Sequence, residues 1–243
     1  MDRCFAGRNV VRWLKIELCF DLLHCPAEML DFSQFECLSF DCYGTLIDWE
    51  SGILGAIRPI LEVHHRKLSD DGILELYAAL ESEEESGEYK KYRQVLQRVM
   101  WKMAARIVFP LTEAEFNALP DSMPQWPAFA DTVDALRRLK SKYKLAIISN
   151  TDDDLFAETA KTLQVPFDFV ITAEQAQSYK PSHNNFELAL ERIGLPKQRV
   201  LHCAVEIRVA DSVNAFHGGV IVAGHDHRPK EVLVLSREIG DAV

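Results

Sequence analysis

Five short apolar runs separated by helical patterns constrain this chain more than anything else in it. They fall at residues 35–40, 145–150, 167–172, 200–205 and 219–223. Runs of that length read as buried strands, and helices between successive strands enforce parallel pairing. The sequence therefore predicts an α/β fold built on a doubly wound parallel sheet. In such a sheet ligands sit outside the carboxyl ends of the strands. The first run stops there at Asp41, and the residues after it suit a reactive carboxylate. Gly44 lets backbone approach a ligand closely, and Thr45 adds a hydroxyl donor. A lone strand-end aspartate more commonly caps a turn, so the functional reading depends on what lies downstream.

Between the first and second runs the pattern is helical. Ile53, Leu54, Ile57, Ile60 and Leu61 recur at helical spacing, as do Ile73, Leu76, Tyr77 and Leu80. Tyr92, Val95, Leu96, Val99 and Met100 continue it, and Thr112 with Glu115 forms a capping box that opens another helix. The acidic cluster Glu81, Glu83, Glu84 and Glu85 and the basic group Lys90, Lys91 and Arg93 read as solvated helix faces. Arg93 stands apart because a guanidinium suits a carboxylate or halide. The expected division is a core at 29–49 and 126–243, a helical insert at 50–125, and an extension at 1–28.

Charge narrows the partners. With 27 basic against 37 acidic residues the chain carries −10, which argues against a nucleic-acid or anionic-membrane surface. Its six cysteines show neither metal spacing nor disulfide density, so free thiols in a reducing, cytoplasmic setting are expected. In the extension, Arg3, Arg8, Arg12 and Lys15 precede an apolar stretch, but Glu17 and Asp21 interrupt it and no small-residue cleavage site follows. It reads as an added segment ahead of a second candidate start at Met29. No run is long and apolar enough to span a bilayer.

The string Asp41-Cys42-Tyr43-Gly44-Thr45-Leu46 resembles motif I of the haloacid dehalogenase superfamily, in the form carried by type II (S)-2-haloacid dehalogenases. Three later segments resemble its other motifs in order: Ser149-Asn150, Lys180-Pro181, and the strand at 200–205 leading to Glu206 and Asp211. The resemblance implies a Rossmann-like core with an inserted helical cap, and Asp41 as nucleophile in hydrolysis of a small 2-haloacid through an aspartyl ester. It assigns Lys180 to the nucleophile's carboxylate and Asp211 to water activation, with Tyr43, Thr45, Ser149 and Asn150 binding substrate. No cofactor is implied. Tyr43 selects this branch, because phosphatases of the superfamily usually place a second aspartate there to protonate a leaving alcohol. A phenol with a pKa of about 10 is poorly matched to that task, and a halide needs no proton. The alternatives are a magnesium-dependent phosphatase using Asp41, Glu206 and Asp211 as metal ligands, and a non-catalytic binding protein. The expected partner is a small carboxylate, with a homodimer left open. Relatives place a halide-receiving arginine early in the cap, where this chain has Leu76-Tyr77-Ala78-Ala79-Leu80, and a tyrosine where it has Phe186.

Overall fold

The computed structural model describes residues 32–204. Four parallel strands form the sheet: β1 (Cys37–Phe40), β2 (Lys144–Ser149), β3 (Phe169–Thr172) and β4 (Val200–Cys203). Their spatial order is β3-β2-β1-β4. The chain thus steps outward from β1 through β2 to β3 and then returns to the far side of β1. That reversal opens a crevice between the carboxyl ends of β1 and β4, the place where doubly wound sheets bind ligands. Phe40 sits in register with Ile147 on one side and Cys203 on the other. All four β1 residues are buried, as are residues 145–149 of β2. This double-sided burial is why these runs are continuously apolar instead of alternating.

Helices complete the layers. α6 (Thr132–Lys140) precedes β2, α7 (Asp153–Leu163) follows it, and short α8 (Ala173–Ala176) follows β3. α9 (His183–Ile193) packs Ala189 and Ile193 against Cys37, Ala146, Ile148 and Ile171, with Phe186 at the margin. The four predicted strands within the described residues are present; β1, β3 and β4 are shorter than their apolar runs, and β2 is offset by one residue from its own. The run at 219–223, the extension at 1–28, and Glu206 and Asp211 lie outside the described residues. No helix among the described residues is long and apolar enough to cross a membrane. Cys37, Cys42 and Cys203 are buried and form no disulfide among the described residues.

The insert is helical throughout: α1 (Trp49–Val63), α2 (Asp70–Glu85), α3 (Tyr92–Ile107), α4 (Glu113–Phe116) and α5 (Ala118–Ser122). Asp48 caps α1, Ser69 caps α2, and the Thr112–Glu115 capping box opens α4. α1 lies so close to Trp126 that a Cβ at Gly52 would come within 2.3 Å of the indole, so the insert is clamped where the chain leaves it.

The acidic cluster of α2 corrects the expectation of a solvated face. Glu84 is buried, continuing the stripe of Ile73, Tyr77 and Leu80 against α3. Burial pushes its carboxyl up, but hydrogen bonds from Arg98 and Lys102 outweigh this and bring it down to about 2. Arg98 Nε lies 2.5 Å from Glu84 Oε2, Lys102 also pairs with it, and Lys90 approaches within 3.6 Å.

Candidate active site

Asp41 is the first residue beyond β1, and its N–H donates to Cys203 O at 3.0 Å, fixing it at the crevice between β1 and β4. The loop behind it is tightly wound. Cys42 O accepts from the N–H groups of Leu46 and Ile47, and Gly44 N donates to Ile47 O at 2.8 Å. Gly44 has φ +93°, and a Cβ there would meet the Trp49 indole at 3.0 Å, so both conformation and space call for glycine. The turn brings Thr45 Oγ1 to 3.5 Å from Asp41 Oδ2.

Lys180 supplies the opposing charge. Its Nζ lies 2.6 Å from Asp41 Oδ1 and donates to Ile148 O at 2.9 Å. Asn150, just past β2, pins the lysine backbone from both sides. Its Oδ1 accepts from Lys180 N at 2.7 Å and its Nδ2 donates to Lys180 O at 3.3 Å. Segments more than a hundred residues apart in sequence therefore meet at one carboxylate. Ser149 is 1% exposed and its hydroxyl has no hydrogen-bond partner among the described residues, so it retains donor capacity at the end of β2.

Other sequence-predicted residues are placed differently. The Tyr43 hydroxyl bonds Thr159 Oγ1 on α7 at 2.9 Å, and Thr159 in turn donates to Leu155 O. Its ring stands edge-on to Trp126, and burial pushes the phenol well above its ordinary range. Tyr43 thus packs the loop against α7. Arg93 is engaged by Asp121 at 3.0 Å and Asp154 at 3.5 Å. Phe186 stands edge-on to His202, whose Nδ1 lies 3.0 Å from Ser39 Oγ. Burial, with Lys180 adding to it, brings that imidazole down to about 4.

Several contributors were not singled out in the sequence. Asp152 is buried, and its two carboxylate oxygens accept from Tyr92 N and Arg93 N at 2.8 and 2.9 Å. It caps α3 from the core, since Lys91 at the N-cap contributes no side-chain bond. A cleft of about 460 Å³ opens between the end of α2 and the loop before α9, lined in part by Glu81, Glu85, Tyr89, Tyr179 and Lys180. Glu81 Oε1 accepts from Tyr77 Oη at 2.7 Å and Tyr92 Oη at 2.5 Å. Glu85 Oε2 accepts from Asn150 Nδ2 at 3.4 Å. Burial, reinforced by the neighbouring Glu81, pushes the Glu85 carboxyl up to about 9. The i, i+4 spacing of Tyr77, Glu81 and Glu85 was the available signal that these carboxyls share a face with a buried ring.

Of the alternative metal ligands, Asp41 alone lies within the described residues. No group of three or more His, Cys, Asp or Glu residues suited to hold a metal occurs among them.

A parallel α/β core presents a carboxylate, Asp41, paired with Lys180 at its switch point. The chain belongs to the haloacid dehalogenase-like hydrolases, whose family description matches residues 35–203. It is 28% identical over 185 residues to (S)-2-haloacid dehalogenases from Pseudomonas putida and Pseudomonas fluorescens, covering 73% of this chain and 79% of each relative. Among solved structures it resembles an L-2-haloacid dehalogenase from Xanthobacter autotrophicus with a TM-score of 0.59 at 20% identity, covering 70% of this chain and 69% of that one. It also resembles a magnesium-bound HAD-hydrolase from Bacillus subtilis, with a TM-score of 0.59 at 16% identity, covering 71% and 80%. These likenesses establish the common fold.

Proposed function

We propose that the protein hydrolyses small 2-haloacids to 2-hydroxy acids, with Asp41 as nucleophile. The observation that carries this reading is the 2.6 Å contact between Lys180 Nζ and Asp41 Oδ1 at the sheet's switch point. It is joined by a residue two positions on, Tyr43, whose hydroxyl is spent on Thr159. Asp41 attacks the halogen-bearing carbon from behind, the carbon–halogen bond breaks, and the halide leaves with the bonding pair. This step needs no proton donor, which fits a site where a phosphatase's second aspartate is replaced by a packed phenol. Water then attacks the Asp41 carboxyl carbon, losing a proton and releasing the 2-hydroxy acid with an oxygen that came from the enzyme. Lys180 orients the nucleophile's carboxylate, Thr45 and Ser149 are proposed to bind substrate, and Asn150 holds Lys180 in place. Asp211 is proposed to activate the water on the strength of its place in the fourth motif. The names of the relatives at 28% identity support the same chemistry.

The test is halide release from 2-chloropropionate, with and without EDTA, beside a general phosphomonoester. Chelator-insensitive halide release is expected. Magnesium-dependent phosphate release without halide would replace this reading with the phosphatase one.

A further inference from the structure

A 2-haloacid brings a carboxylate into a site whose flanking cleft is rich in carboxyl groups. Lys180 is the one cation among the residues described around the cleft, and its ammonium is taken up by Asp41 and Ile148 O. Arg93 is held by Asp121 and Asp154. Among the described residues that line the cleft, an anionic substrate therefore meets neither an arginine nor a free lysine. A protonated carboxyl can serve instead, because it donates a hydrogen bond without adding charge.

The two cleft glutamates differ in what surrounds them. Burial pushes the Glu81 carboxyl up, but both tyrosine hydroxyls, Tyr77 from α2 and Tyr92 from α3, donate to it and oppose that rise by favouring the ionised form. Glu85, one turn on, faces that charge across i, i+4 spacing and accepts one long bond from Asn150. The other titratable groups facing it are Lys180 and Tyr179, from the loop before α9, Tyr77 on α2 and Tyr92 on α3. When two carboxyls share a partly dry site, one keeps a proton. The surroundings give the negative charge to Glu81 and the proton to Glu85. Burial and the charge on Glu81 lift the Glu85 carboxyl to about 9, in the same direction. The unpartnered Tyr89 hydroxyl lines the same cleft, and the unpartnered Ser149 hydroxyl adjoins Asn150 in the chain. Both offer further bonds to a ligand oxygen.

We propose that Glu85 donates a hydrogen bond to the carboxylate of the incoming acid, making it a substrate-binding residue. The inference rests on the haloacid reading of the Asp41 site, and its chemistry is specific: a small monocarboxylate, held by a neutral carboxyl. Asn150 couples the two ends, since its Nδ2 reaches both Glu85 and Lys180 O while its Oδ1 accepts from Lys180 N.

The experiment is calorimetric binding of propionate, an unreactive carboxylate, to the full chain and to Glu85→Gln and Glu85→Ala between pH 6 and 10.5. Wild type is expected to bind at neutral pH and to weaken about tenfold per pH unit above about 9, as the donor proton is lost. Glu85→Gln keeps an N–H donor and should bind within a few-fold of wild type, with a flatter profile over that range. Glu85→Ala should bind at least tenfold more weakly. Absence of binding to wild type, unchanged affinity in Glu85→Ala, or Glu85→Gln behaving like Glu85→Ala would each overturn the proposal. Halide release measured in parallel keeps the two readings apart. Halide release without the Glu85 effects removes this inference alone, and the Glu85 effects without halide release remove the dehalogenase reading alone.

Discussion

At the residue scale the account turns on one carboxylate and one ammonium. Asp41→Asn keeps the shape of the side chain but replaces a strong nucleophile with a weak one, so turnover should vanish while the melting temperature barely moves. Persistent halide release, with the amide shown by mass spectrometry not to have reverted, would remove Asp41 from the nucleophile's role. Lys180→Met removes a donor 2.6 Å from that carboxylate and should lower kcat by roughly 10²–10³-fold, the range seen when a preorganised charge-stabilising donor is lost. A change confined to KM would reassign Lys180 to substrate binding. Asp41, Ser149 and Lys180 were legible in the sequence because each stands at the end of a strand or in a short motif following one. Tyr43 was legible as a branch marker, but the direction of its hydroxyl was not. That depends on Thr159, more than a hundred residues away, which no local pattern links to it. Glu81 and Glu85 were hidden for the opposite reason. In a run of glutamates on an amphipathic helix, charge looks like solvent exposure until the partner helix and loop are known.

At the element scale, α2 and α3 are joined by an ion cluster around the buried Glu84. Removing a buried carboxylate from its cations is costly, so Glu84→Gln should lower stability at pH 7 by roughly 2–3 kcal/mol. The sign of its pH dependence follows from its depressed folded value. The contribution of Glu84 is fully present above the unfolded carboxylate range and is lost as pH falls from about 4.5 towards about 2. Denaturant unfolding of wild type and variant should therefore converge in acid, and a gap that stays constant with pH would contradict the pairing. The helices and strands themselves were largely legible, because periodicity reports the face that each element buries. The spacing of Ile73, Tyr77 and Leu80 points on to position 84, yet the residue there is charged, so the pattern was broken at the place where a polar partner sat across the seam. The capping of α3 by Asp152 could not be read either, since that side chain comes from the core, some sixty residues away.

At the scale of the whole molecule, the sheet order β3-β2-β1-β4 puts Asp41 at a switch point, while the chain's net charge of −10 opposes an anionic substrate. Salt screens that repulsion, so kcat/KM for a 2-haloacid should rise between low and physiological ionic strength, with little change in kcat. A fall over the same range would point to a net attractive field around the site. The central claim is that the new oxygen passes through Asp41, and single-turnover hydrolysis in heavy-oxygen water, with enzyme in excess of 2-chloropropionate, tests it most directly. The account predicts heavy oxygen in the peptide containing Asp41 and a 2-hydroxy acid whose new hydroxyl is unlabelled. Heavy oxygen in that hydroxyl on the first turnover, with Asp41 unlabelled, would mean that water attacks the substrate directly and that no aspartyl ester forms.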